Sequence, residues 1–143
     1  MAYCTNSDVQ AEFKKLNFDS SGITSAEVDE FISQEDAYID GVISQKYDVP
    51  VTASESLKIL KTISIHLVAY RVKAILAVKT GIEATDQGGE NSLKAMADQK
   101  LTEIVEGKLR LRDADLANSY DGVKSFAVSD DIDHIFDRGV DQW

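Results

Sequence analysis

The chain has 143 residues, of which 43% are hydrophobic and 28% are charged, and its formal net charge is −10. These values are typical of one globular domain that buries its own core, and the chain is too apolar to be wholly disordered. The charge disfavours tight binding to DNA or to an anionic membrane, because both need clustered lysine and arginine.

The cysteine content and the apolar runs restrict the class of protein further. Cys4 is the only cysteine, so the chain can form neither an intramolecular disulfide nor a zinc site built on several thiols. This agrees with folding in a reducing cytoplasm. The first residues lack the pattern of a signal peptide, and the most apolar run, residues 63–70, is too short and too charged to span a bilayer. We therefore expect no membrane association.

The first helix is predicted to begin near Thr5 to Ser7, since Ser7 can cap the first turn and Gln10 follows three residues later. Apolar residues then recur at helical spacing until about Asn17. Residues 17–23 are predicted to form a loop, since they contain aspartate, serines and glycine.

That loop also resembles a calcium-binding loop in part. Asn17, Asp19 and Ser21 would supply oxygen ligands, but Val28 occupies the position where the bidentate glutamate is needed. Glu27 is one position early and suits a helix cap instead. We therefore predict no metal site.

The second helix has the clearest start signal, since Thr24 and Glu27 have the spacing of a capping box between apolar residues at the staple positions. A 3.6-residue apolar period follows. The helix is predicted to end near Tyr47, because Pro50 disfavours helical geometry in the residue before it.

Two further helices are predicted. Ser54 is expected to cap the third, which runs to about Lys79 with an apolar stripe broad enough for contacts on two sides. This makes it the central helix. Asn91 is expected to cap the fourth, and Gly107 to end it. The predicted fold class is therefore all-α, a small bundle of about four helices.

The pattern changes after Gly107. Residues 108–112 alternate charged and apolar side chains, which predicts a short strand. Residues 113–143 contain eight aspartates against Lys124 and Arg138, a local net charge of −6. We therefore divide the chain into a helical domain, 1–107, and a strand with an extended acidic tail, 108–143.

The tail has too many large apolar groups for a mere solubilising extension, and such segments usually become ordered on a partner. Asp130, Asp131 and Asp133 are interpreted as a solvated acidic run rather than a metal site. The candidate residues for assembly or partner binding are Leu109, Leu111, Phe126, Ile132, Ile135, Phe136 and Trp143.

No catalytic constellation is evident. The only histidines, His66 and His134, lie in no recognisable motif, and residues 88–89 lack the lysine and hydroxyl of a phosphate-binding loop. The adjacent acids at 29–30 and 35–36 point to different sides of a helix and are interpreted as a solvated face. We expect no enzymatic activity, no cofactor and no metal.

Residues 38–50, Tyr-Ile-Asp-Gly-Val-Ile-Ser-Gln-Lys-Tyr-Asp-Val-Pro, resemble a signature of a Mu-like prophage protein family. In that family a helix ends in an aspartate-glycine and a lysine- or arginine-tyrosine, followed by a proline. The resemblance covers roughly residues 1–112, and its other matches are Tyr3, Asp8, Phe13, Leu57-Lys58, Leu67 to Arg71 and Glu106 to Leu109.

The wider group is similar to the small helical adaptors, or head-completion proteins, of long-tailed bacteriophages. The resemblance implies a virion protein made in the host cytoplasm, one of about a dozen copies in a ring in the phage neck. Its partners would be other copies, the portal protein and tail-side neck proteins, and DNA would pass through the ring without specific binding. Residues 113–143 depart from the short family members, which end soon after the last helix.

The signature also suggests how helices pack. Gly41 lies inside a helix, where glycine costs about 1 kcal/mol relative to alanine, so we expect the third helix to approach closely there. Asp40 and Arg71 either pair across that contact or are two solvated charges. Tyr47 and Pro50 complete this helix-packing signature.

A different class of function also fits the composition. A small acidic regulatory or inhibitory protein could bind one basic partner through its tail, imitating the charge of DNA. Such a protein would stay a monomer or dimer and bind with strong salt dependence, whereas a ring protein would assemble into large particles.

Overall fold

The computed structural model describes residues 2–13, 22–80 and 92–117. These residues form four helices: α1 (Asn6–Glu12), α2 (Ser25–Ile43), α3 (Ser54–Thr80) and α4 (Leu93–Glu106). No sheet occurs in the described ranges, which confirms the all-α class. No helix in these ranges is long and apolar enough to cross a membrane.

Capping boxes fix the starts of the first two helices. Thr24 and Glu27 form the predicted box, in which Thr24 N donates to Glu27 Oε2 at 2.7 Å and Glu27 N donates to Thr24 Oγ1 at 3.2 Å. Helix α1 begins at Asn6, within the predicted range, but the predicted cap is wrong, because Thr5 rather than Ser7 caps it. Asp8, three residues after Thr5, completes that box.

The other helix ends differ slightly from prediction. Helix α2 ends at Ile43 rather than near Tyr47, because the amides of Lys46 and Tyr47 both donate to the Ile43 carbonyl, each at 2.9 Å, as the chain turns. Ser54 already lies inside α3, and the Ala53 carbonyl accepts the first bond at 2.8 Å.

Helix α4 is capped by Ser92 instead of Asn91, since the Ser92 hydroxyl accepts from Ala95 N at 3.1 Å. Gly107 ends α4 as predicted, with φ +81° in the left-handed region that glycine tolerates.

Helices α2 and α3 carry residues of two buried apolar clusters. One cluster joins them to α4 and includes Ile39, Ile43, Leu60, Ile63, Leu101 and Ile104. The other joins them to α1 and includes Val9, Ile23, Val28, Ile32, Val68 and Val72. Because α3 packs against all three other helices, its broad apolar stripe is buried on two sides, as predicted.

The predicted strand at 108–112 is wrong. Its alternation instead packs an irregular segment on the helices, with Leu111 buried and Leu109 half-buried against the first cluster. The extended pairing in this region is a single antiparallel bridge between Tyr47 and Leu116, flanked by backbone hydrogen bonds of 2.9 and 3.0 Å. The described chain therefore stays on the helical body as far as residue 117, and the division after residue 107 stays a prediction.

Candidate functional site

A buried polar network joins the N-terminal residues to α2 and α3. The carboxylate of Asp36, only 5% exposed, accepts from Tyr3 N at 2.8 Å and from the Ser64 hydroxyl at 2.7 Å. The Ser64 hydroxyl also lies 3.2 Å from the Cys4 sulfur. Sequence analysis missed this network, since it assigned Asp36 to a solvated face. The available signal was helical spacing, because Asp36 falls on the same stripe as Ile32 and Ile39.

Burial dominates the electrostatics of this network. It raises the pKa of Asp36, against the hydrogen bonds from Ser64 and Tyr3, which lower it. Burial likewise raises the pKa of the Cys4 thiol to about 11. A thiol with that pKa is neutral at pH 7 and is a poor nucleophile. The network therefore holds the N-terminal segment against α2 and α3.

Tyr3 extends the network to the turn of the signature. Its hydroxyl donates to Asp40 Oδ1 and accepts from Val51 N at 3.3 Å, directly after the cis peptide bond between Val49 and Pro50. Burial and the bond to Asp40 raise the pKa of Tyr3. Asp40 and Pro50 thus belong to one contact between the N-terminal segment and the α2–α3 connection.

Of the two alternatives offered for Asp40 and Arg71, pairing with each other is wrong. The guanidinium of Arg71 donates to Gln34 at 2.7 Å and to Glu35 at 3.4 Å, and it lies 4.3 Å from the centre of the Phe31 ring. Asp40 lies more than one helical turn further along α2, where Tyr3 is its partner.

The predicted close packing at Gly41 is also wrong. Gly41 is exposed, and a Cβ built on it would meet no atom within 4 Å. The contact between α2 and α3 is made by the neighbouring buried residues Ile39 and Ile43. Tyr47, by contrast, is buried, and its hydroxyl accepts from Leu111 N at 3.3 Å.

The described residues hold no group of three or more His, Cys, Asp or Glu side chains placed to bind a metal ion. The ligands Asn17, Asp19 and Ser21 of the loop that resembles a calcium site lie outside the described residues. Glu27 is engaged in the α2 cap. His66 lies on α3 with its Nδ1 buried and without a hydrogen-bond partner among the described residues, and burial lowers its pKa.

The candidate assembly residues fall into two groups. Leu109 and Leu111 pack into the protein's own core. The others lie outside the described residues: Phe126, Ile132, Ile135, Phe136 and Trp143.

Two surface features nevertheless suit protein contacts. The first, the aromatic groove, lies between α2, α3 and α4 and is lined by Glu35, Tyr38, Leu67, Tyr70, Arg71, Lys94 and Asp98. Tyr38 is 47% exposed there, and tyrosine is enriched among the residues that contribute most to interfaces. The second, the basic strip, consists of the exposed side chains of Lys108, Arg110 and Arg112.

These features belong to a small helical protein without a recognisable catalytic centre in the described part of the chain. A model of the protein family described as "Bacteriophage Mu, Gp36" matches residues 3–128. Because the match spans most of the chain, the protein belongs to the bacteriophage Mu Gp36 family. It is therefore a phage protein, and its family indicates a structural or morphogenetic role.

The family match extends beyond the resemblance found in the sequence, which ended near residue 112. The match includes the first part of the acidic tail. Residues 113–128 therefore fit the family, contrary to the expectation that residues 113–143 depart from it. Comparisons with curated proteins and with solved structures gave no match.

Proposed function

We propose that the protein is a subunit of the head–tail connector, a ring in the virion neck that joins the portal of the phage head to the tail. Membership of the Mu Gp36 family carries this proposal. The small all-helical fold agrees with the adaptor, or head-completion, proteins that the sequence resembles. In this role the partners are other copies of the chain, the portal protein and tail-side neck proteins.

Surface geometry supports a head-to-tail arrangement of copies. A ring formed by rotation needs two different surfaces on each subunit, because every copy meets one neighbour on each side. The aromatic groove and the basic strip are two such surfaces, built from different parts of the chain. The groove contains tyrosine and both features contain arginine, and these side chains are enriched among energetically important interface residues.

Charge supports passage of DNA without retention. The chain carries a net charge of −10, so a ring of copies repels the phosphates of a passing duplex. The proposed role also needs no catalysis. The buried Cys4 has a raised pKa that keeps it neutral, and Ser64 and Asp36 are engaged in hydrogen bonds that join the N-terminal segment to α2 and α3.

Light scattering of the purified protein, alone and with the portal protein of a Mu-like phage, tests the proposal. We expect particles of about ten or more copies, visible as rings by electron microscopy. Tyr38→Ala should shift the particles towards monomer, whereas Gln99→Ala, at an exposed position on α4, should not. A chain that stays monomeric or dimeric with the portal, and binds a basic protein in a salt-dependent manner, would instead be the small acidic inhibitor.

A further inference from the structure

The basic strip owes its form to the packing of two leucines. Leu111 is 4% exposed and Leu109 is half-buried, so alternate residues of the segment turn towards the core. The intervening side chains of Lys108, Arg110 and Arg112 are exposed as a result. Three cations within five residues are thus presented on the surface of a chain whose net charge is −10.

The two arginines of the strip lack a carboxylate partner within the described ranges. Lys108 pairs with Glu106 at 2.6 Å, and Arg71 elsewhere binds Glu35 and Gln34. The described residues supply no ion pair to the guanidinium groups of Arg110 or Arg112. A guanidinium forms its strongest contacts with carboxylates, through two parallel hydrogen bonds. The strip therefore offers two sites for carboxylates that the described fold does not fill.

The same chain contains an acidic segment with matching spacing. Asp131 and Asp133 are separated by one residue, as are Arg110 and Arg112, and Asp130 and Asp137 add to the charge. In an extended chain, residues at this spacing lie on one side, about 7 Å apart. The acidic segment therefore offers two carboxylates at the sequence spacing of the two exposed guanidinium groups.

We propose that Arg110 and Arg112 bind the acidic segment 130–137 of a second copy of this chain. The inference rests on the proposed ring, in which copies meet through two different surfaces. Copies that each carry a net charge of −10 repel one another. A local cationic site on one copy therefore attracts the acidic segment of its neighbour. The contact gives the ring direction, because the strip of one subunit receives the segment of the next.

Cross-linking between two variants, each with one introduced cysteine, tests the contact. Leu116 is 53% exposed, and together with Arg110 it lines a groove separate from the aromatic groove. Leu116→Cys therefore places a thiol beside the strip. Ser129→Cys places one beside the acidic segment. Cys4 stays in place, since it is 2% exposed. The two variants are mixed in equal amounts, alone and with portal protein, and treated with a short bis-maleimide, and we expect a cross-linked heterodimer.

Charge reversal shows whether the arginines cause the contact. Arg110→Glu and Arg112→Glu on the Leu116→Cys chain should lower the heterodimer yield about tenfold, since two attractive pairs become repulsive. Adding Asp131→Arg and Asp133→Arg to the other chain should restore it. Lys58→Glu with Lys73→Glu, an equal change of charge at two exposed positions of α3 outside both surfaces, should leave the yield unchanged.

The remaining outcomes overturn the inference. Cross-linking only within one chain that carries both cysteines would show that the tail binds its own subunit. Binding of a short DNA duplex that is lost in the arginine variant would identify phosphate as the ligand. If ring-sized particles form without the heterodimer, the connector function stands and the docking contact fails. If neither forms with portal present, both proposals fail.

Discussion

The Ser64 hydroxyl donates a 2.7 Å hydrogen bond to Oδ1 of Asp36, and both side chains are buried between α2 and α3. This bond lowers the pKa of Asp36, while burial, the larger effect, raises it. A carboxylate that is 5% exposed depends strongly on its protein donors.

Ser64→Ala is expected to destabilise the fold by about 1–3 kcal/mol, the cost of leaving a buried acceptor without its donor. The loss should depend on pH. Because burial raises the folded-state pKa of Asp36, this group's contribution to stability is fully present below the unfolded pKa and is lost as pH rises through the folded pKa. Removing Ser64 raises that pKa further, so the variant should lose more stability near neutral pH than in acid.

Urea unfolding from acidic to neutral pH measures this effect, with the exposed Ser33→Ala on α2 as the control. An equal loss of stability at all pH values would show that the carboxylate does not depend on Ser64.

The first helix offers a direct comparison of two hydroxyl side chains. Thr5→Ala should cost about 1 kcal/mol, because Thr5 caps α1 and bonds with Asp8. Ser7→Ala should have little effect, since Ser7 lies exposed in the first turn. Thermal unfolding of both variants checks the difference. If Ser7→Ala lowered the stability more than Thr5→Ala, Ser7 would be the cap, as the sequence alone suggested.

Sequence patterns predicted the elements better than the contacts of individual side chains. Periodicity and the Thr24 box identified all four helices, because both signals are local. The roles of Asp36 and Gly41 depend on which neighbour faces them, and one sequence does not encode that directly. A charged residue on an apolar stripe and a glycine in a helix each permit two interpretations, and for both residues the structure selects the one we did not choose.

The segment after α4 likewise has a local pattern that permits two structures. Alternation in residues 108–112 predicted a strand, yet alternation requires only that every second side chain face the core. Without a partner strand among the described residues, the leucines pack on helices instead. The outward residues of the segment, which the sequence analysis did not select, form the basic strip.

Replacing Gly41 and Gly107 with alanine should have opposite effects on the stability of the fold. Gly41 is exposed in α2 with no atom near its missing Cβ, so Gly41→Ala should stabilise by up to about 1 kcal/mol. Gly107 has φ +81° at the end of α4, so Gly107→Ala should destabilise by about 1–2 kcal/mol. Denaturation midpoints of the two variants provide the test. A destabilised Gly41→Ala would mean that an assembly contact or an unseen neighbour occupies that surface.

Leu111 connects the last described segment to the core, which makes it a test of how far the folded unit extends. It is 4% exposed in the cluster that contains Ile43, Leu60 and Ile104. Leu111→Ala should therefore destabilise by about 2–5 kcal/mol through lost burial and the cavity that remains. Leu116→Ala is the matched control, since Leu116 is 53% exposed and contributes mainly its backbone to the bridge with Tyr47. It should cost less than about 0.5 kcal/mol.

Urea unfolding followed by circular dichroism measures both. If Leu111→Ala unfolds at the same urea concentration as the unmodified chain, the segment after Gly107 does not belong to the helical core, and the division of the chain at that residue is correct.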